Sequence, residues 1–179
     1  MKIRATSSFI DKIETDIVVL SFFEDERPLK GSTGLADWRT CGMLSKFILE
    51  NRVTGEFKEK LLLPVKKRLA CSKLLVVGLG PAKLFTFERY AQIIDIIMIT
   101  VVKLDAVSFA MPLPGVGMAG LDYGLATTRF CESLISIFRP KRELLADLSV
   151  LIVAQGPRLK EINPIIAKHE RRMNEELAT

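Results

Sequence analysis

The sequence predicts an α/β fold of three layers, α/β/α, in which a mainly parallel, mixed central sheet is covered by helices on both faces. Three observations carry that prediction. Dense apolar, β-branched runs alternate with stretches whose apolar residues recur every three or four positions, the signatures of buried strands and of amphipathic helices. Four such strand-to-helix units follow one another, which favours parallel strands joined by helical crossovers, with antiparallel additions expected near the start. The 179 residues, 49% hydrophobic and 26% charged, suit one core, so residues 1–179 read as a single domain.

The elements follow in order. A strand is expected around Lys2 to Phe9, and a second in the run Thr15 to Phe23, closed by the polar segment Glu24-Asp25-Glu26-Arg27-Pro28. From Gly34 the period changes: Leu35, Trp38, Cys41, Leu44, Phe47 and Ile48 share one face of a helix. Glu56 to Val65 and Lys73 to Leu79 read as strands. Thr86 caps a helix with Phe87, Tyr90, Ala91, Ile94, Ile97, Met98 and Val101 inward. A strand at Ala106 to Leu113 leads through a glycine loop to a helix with Leu125, Thr128, Cys131, Leu134, Ile135 and Phe138 inward, stopped at Pro140. Leu148 to Ala154 is the last strand. Asn163-Pro164 has the cap-then-proline order of a helix start, leading into Ile165, Ile166, His169 and Met173.

Composition excludes several classes. A mean hydropathy of +0.25 fits a soluble protein. The amino terminus has no signal-like apolar core, and the longest apolar run, Ile93 to Val102, is broken by Asp95 and Thr100, so neither export nor a membrane span is expected. Cys41, Cys71 and Cys131 are odd in number and far apart, which fits reduced, mostly buried cysteines of a cytoplasmic protein. The net charge of +5 is spread over short clusters, Lys66-Lys67-Arg68, Arg139-Lys141-Arg142 and Lys168-Arg171-Arg172, without interleaved aromatics, which argues against nucleic acid as a partner.

Candidate chemistry is sparse. With one histidine, no His-Glu-x-x-His motif and no paired cysteines, no metal site, cofactor or catalytic set is expected. His169 reads as a half-exposed helix residue and Glu24-Asp25-Glu26 as a solvated loop. Two glycine loops stand out, each joining a strand to a helix. Gly115-Val116-Gly117-Met118-Ala119-Gly120 is a formal Gly-x-Gly-x-x-Gly, whose glycines let backbone amides approach a phosphate. No acidic residue ends the following strand, which closes Val153-Ala154-Gln155, so the ribose-binding half of a dinucleotide fingerprint is missing. In Lys30-Gly31-Ser32-Thr33-Gly34-Leu35, the candidate ligand contacts are Lys30, Gly31, Ser32, Gly34 and Leu35; in the other loop they are Gly115, Val116, Gly117 and Met118. Both also read as plain turns. If a ligand binds, it is expected to be anionic, where Gly115 to Ala119 meets the next helix.

The run Thr15-Asp16-Ile17-Val18-Val19, then Lys30 to Arg39, then Gly42-Met43-Leu44-Ser45, resembles the amino-terminal domain of leucyl aminopeptidases. So do Gly55-Glu56-Phe57-Lys58, Leu61-Leu62-Leu63-Pro64 and Lys73 to Gly80. The resemblance is strongest in the first half of the chain, and order and spacing carry it. It implies a macrodomain-like fold standing without the two-zinc half marked by Asn-Thr-Asp-Ala-Glu-Gly-Arg-Leu, a motif this sequence lacks. It therefore implies a non-catalytic, stand-alone relative acting as a protein-interaction or regulatory binding module. The alternative is a small-anion or ADP-ribose/nucleotide-binding protein, since ADP-ribose-binding macrodomains use corresponding loops around phosphates and distal ribose. Those proteins usually carry an asparagine-rich segment after the second strand, where this chain reads Leu20-Ser21-Phe22-Phe23-Glu24. An interaction module predicts self-association through Leu159, Ile162, Ile166 and Met173 of the last helix, although their spacing is equally compatible with folding back onto the core; a ligand domain predicts a cleft between the loops after Phe23 and Leu113.

Overall fold

The computed structural model describes residues 1–65 and 68–177. Its elements are β1 (Lys2–Thr6), β2 (Thr15–Phe22), α1 (Gly31–Arg39), α2 (Met43–Leu49), β3 (Lys60–Pro64), β4 (Cys71–Gly78), α3 (Phe87–Lys103), β5 (Ser108–Pro112), α4 (Tyr123–Phe138), α5 (Arg142–Asp147), β6 (Ser149–Val153) and α6 (Gly156–Leu177). The strands form one six-stranded sheet in the order β1-β6-β5-β2-β4-β3. Every pairing is parallel except β3 with β4. The expected antiparallel addition therefore lies at the far edge and not near the start, where β1 pairs in parallel with β6.

Alternation along β2 explains its unbroken apolar run. Ile17 and Val19 face one side with Leu75, Val77, Phe109 and Met111, under α3, α4 and α6. Val18, Leu20 and Phe22 face the other with Leu74, Val76 and Ala110, under α1 and α2. A strand covered on both faces has no polar side to show. α3 follows most of its predicted stripe: Tyr90, Ile94, Ile97, Met98 and Val101 are buried, joined by Ile93, whereas Phe87, in the first turn, is 39% exposed and Ala91 half-buried; Thr86 Oγ1 accepts from the Arg89 amide at 3.3 Å. Each such side chain contributes about 1.5–3 kcal/mol of hydrophobic stabilisation.

Four expectations need correction. The single helix from Gly34 to Ile48 is two helices, because Cys41 and Gly42 take φ of 59° and 73° and end the first. The second starts on a remote cap: the buried Asp37 carboxylate accepts from the amides of Leu44 (2.7 Å) and Ser45 (3.1 Å) and from Ser45 Oγ. The inward face of α1 is consequently Thr33, Ala36 and Asp37, while Trp38 is 68% exposed and Cys41 lies at the surface. On α4, Leu125 points outward at 61% exposure, and Ala126, Phe130, Leu134 and Phe138 fill the core. α6 begins at Gly156 rather than at Asn163-Pro164; Pro157 occupies the first turn, where no intrahelical partner is lost, and Pro164 sits on the exposed side. Among smaller differences, β1 stops at Thr6, β3 spans only Lys60–Pro64, and the short α5 inserts buried Leu145 after Pro140.

Candidate functional site

Five strands run parallel, so their carboxyl ends meet at one edge of the sheet. The chain leaves β2 over one face towards β3 and β4, and leaves β5 over the other towards β6. Neighbouring strands whose connections diverge in this way leave a crevice between their ends. The crevice is a cleft of about 710 Å³, walled by Lys30, Gly31, Ser32 and Leu35 from one side and by Gly115, Val116, Gly117 and Met118 from the other. Of the nine residues singled out in the sequence, only Gly34 stands apart from it. A Cβ there would lie 2.5 Å from the Leu29 carbonyl oxygen, so Gly34 serves the close packing of α1 on its own entry loop.

The second loop is a succession of turns between β5 and α4. Gly115, at φ 67°, sits over Phe23 and Phe85, where an added Cβ would come within 2.8 Å of both rings. That glycine is fixed by packing. Its carbonyl accepts from the Ala119 amide at 2.9 Å and that of Val116 from the Leu121 amide at 3.0 Å, which closes the loop. Among the described residues, the amides of Gly115, Val116, Gly117 and Met118 have no acceptor, and all four residues line the cleft. The seat expected at the start of α4 is already taken: Asp122 caps that helix, accepting from the Leu125 amide at 2.7 Å, and its carboxylate occupies the positive end. The anion-favouring groups are the loop amides.

The first loop differs in character. Thr33 Oγ1 donates to the Ser21 carbonyl at 2.7 Å and anchors the first turn of α1 to β2. Glu26 is not the freely solvated residue its charged neighbours suggested. Its carboxylate accepts from the amides of Lys30 (3.1 Å) and Phe23 (3.3 Å) and lines the cleft. Asp25 is also engaged, accepting from the Ala82 amide at 2.9 Å. The Lys30 ammonium has no ion-pair partner among the described residues.

The remaining candidates bring no reactive centre together. Among the described residues, no group of three or more His, Cys, Asp or Glu is placed to hold a metal ion. His169 is half-buried with Nδ1 2.9 Å from the Ile165 carbonyl. Burial, with Glu132 adding to it, pushes the Cys131 thiol up to about 12, and burial also raises Cys71, so neither is a nucleophile at neutral pH. Lys66 and Lys67 of the first basic cluster lie outside the described residues. Among the described residues, no helix is long and apolar enough to cross a membrane. The stripe assigned to self-association is mostly internal: Ile162, Ile166 and Met173 are buried in the chain's own core, and Leu159 is half-buried.

Sequence reasoning missed several walls of the cleft: Ser7, Ser8 and Phe9 after β1, Glu26, Tyr123, and Gln155 after β6. Gln155 and the Ser7–Phe9 segment became predictable only once β1 and β6 were known to be parallel neighbours. Phe9, expected inside the first strand, instead lies beyond its end and is 67% exposed at the rim.

A three-layer sheet with a cleft between the loops after its second and fifth strands defines a macrodomain-like module. An Oceanobacillus iheyensis macrodomain solved with ADP superposes with a TM-score of 0.69 at 15% identity, covering 94% of this chain and 90% of that one. Residues 18–132 match the model of the cytosol aminopeptidase family, N-terminal domain, and the chain belongs to that family. A probable cytosol aminopeptidase of a Cyanothece species is 31% identical over 97 residues, 52% of this chain and 20% of that protein. Tomato leucine aminopeptidase, in a variant form, superposes with a TM-score of 0.57 at 15% identity, covering 97% of this chain and 36% of that one. The chain thus spans about a fifth of the curated relative's length.

Proposed function

We propose that this chain is a non-catalytic binding module of the cytoplasm, folded as a single domain, whose cleft takes a small anionic ligand on the amides of Gly115 to Met118. The observation that carries the reading is that Gly115, Val116, Gly117 and Met118 all line one cleft while their amides have no acceptor among the described residues. Amides left unpaired within the protein favour a ligand that accepts from several of them at once, as phosphoryl oxygens do. Lys30 supplies a mobile counter-charge from the opposite wall. The relative solved with ADP supports nucleotides and ADP-ribose as the first ligands to try. The Leu20 to Glu24 segment, without asparagine, speaks against hydrolysis of such a ligand. For the interaction-module reading, the inward packing of Ile162, Ile166 and Met173 removes those α6 positions as its contact surface.

Calorimetric titration of ADP-ribose, nucleotides and phosphate into the protein tests the reading. Saturable binding of one or more supports it, and indifference to all of them at millimolar concentration overturns it. Non-catalytic status has its own test: the purified protein is expected to show no zinc- or manganese-dependent release of amino-terminal leucine. Turnover that copurifies with the protein and is abolished by chelation would contradict it.

A further inference from the structure

We infer that the outer face of α1 and α2 is a self-association surface, on which a second copy of this chain docks about a two-fold axis and covers Trp38; the inference stands apart from the anion-binding reading. The inward positions of the two helices are Thr33, Ala36, Asp37 and Leu44. That leaves Trp38 at the end of α1 and Leu49 at the end of α2 standing out from the layer, at 68% and 83% exposure. Large apolar side chains gain most from being covered, and tryptophan and arginine are the side chains on which interfaces most often turn. Trp38 is also held ready. The Arg39 guanidinium lies 4.8 Å from the centre of its ring, and Arg39 Nε donates to the Asp11 carboxylate at 2.7 Å, a side chain only 6% exposed. The indole is thereby backed by a fixed neighbour and open elsewhere, so covering it costs little side-chain freedom.

The charges of the face select its occupant. Every charged side chain of α1 and α2, with Glu50 and Arg52 after them, is engaged within the chain. Asp37 caps α2, Arg39 pairs with Asp11, and Lys46 and Arg52 each lie 3.8 Å from Glu50. Arg52 is further occupied over the Phe47 ring, 4.2 Å from its centre. None of these groups is left free to recruit an acidic peptide or a polyanion. A partner for the face needs apolar side chains and no uncompensated charge, which is what the face itself offers. A chain with a net charge of +5 repels its own copies in general, whereas here the cations already have carboxylates beside them. A two-fold arrangement sets the same patch against itself, so one association covers Trp38 and Leu49 of both copies.

Trp38 is the only tryptophan of the chain, so its emission reports this one position. Sedimentation equilibrium and tryptophan emission are followed on the same samples, from micromolar to millimolar protein. The expected result is a reversible monomer–dimer equilibrium, a blue shift of the emission that tracks the dimer fraction, and a dimer that added salt does not weaken. Trp38→Ala and Leu49→Glu should each raise the dissociation constant at least about tenfold, and Trp38→Phe should raise it less than Trp38→Ala does. Leu125→Glu is the control: that leucine is 61% exposed on α4, across the sheet, and its replacement should leave association unchanged. Thermal melts check that each variant folds, and if one does not, the other variant and the wild-type emission shift carry the test. A protein that stays monomeric throughout the range overturns the proposal. So does a dimer whose emission stays constant, or one that Leu125→Glu breaks and Trp38→Ala does not.

Discussion

Gly115 and Gly117 lie two residues apart in the same loop, yet substitutions at them should fail in different ways. At Gly115, alanine meets two penalties: a left-handed φ of 67° and a Cβ 2.8 Å from the rings of Phe23 and Phe85. The backbone term costs about 1–2 kcal/mol and the overpacking about 1–3, together about 2–5 kcal/mol. For a chain of this size that lowers the melting temperature by roughly 4–20 °C. At Gly117 the backbone is ordinary, and an added Cβ meets only the Tyr123 hydroxyl, at 3.0 Å. Gly117→Val should therefore melt within about 2 °C of wild type. Its branched side chain stands beside the unpaired amides, so ligand affinity should fall by roughly tenfold, about 1.4 kcal/mol. Thermal melts read the first effect and calorimetric titration the second. If Gly117→Val binds as wild type does, or if it is destabilised as severely as Gly115→Ala, the loop is a turn and nothing more.

Two further outcomes follow from groups outside the cleft. Asp37→Ala removes the acceptor of two α2 amides and one hydroxyl in a buried place; losing a helix cap of this kind and stranding a buried donor should cost about 2–4 kcal/mol in denaturant unfolding, and a loss under about 0.5 kcal/mol would refute the remote cap. A thiol-specific reagent should label Cys41 in the native protein, and Cys71 and Cys131 only on unfolding. The Cys131 thiol ionises near 9 when unfolded and at about 12 when folded, so its contribution is intact below pH 9 and is lost as pH rises towards 12, at up to about 1.4 kcal/mol per pH unit. Melts that stay level between pH 9 and 11 would contradict that shielding.

The parts of the fold that sequence made legible are those decided by local pattern. β2 and α3 declare themselves because one is buried on both faces and the other has a single apolar stripe with a threonine cap. The α1–α2 break was illegible: it depends on Cys41 adopting a left-handed conformation and on Asp37 reaching a helix that starts six positions later. The start of α6 misled for the opposite reason, since Asn163-Pro164 imitates a cap inside a helix whose neighbours hold it straight through. Within the cleft, the glycine loops were visible as breaks in periodicity. Glu26 was hidden in a charged run, and Ser7 to Phe9 depended on a pairing between the two most distant strands in the sequence.

That distant pairing reaches into folding. β1 sits at the sheet edge and pairs with β6 alone, from Lys2 opposite Ser149 to Thr6 opposite Val153, with Glu170 of α6 accepting from the Ile3 amide at 3.2 Å. β1 is therefore among the last strands able to dock, because its partners lie far along the chain and that closure must precede any reward from contact. One wall of the cleft, Ser7 to Phe9, hangs from the end of that strand. Opening of the edge strand and loss of that wall are one event, so anything held in the cleft would slow amide exchange in β1, a strand that need not touch it.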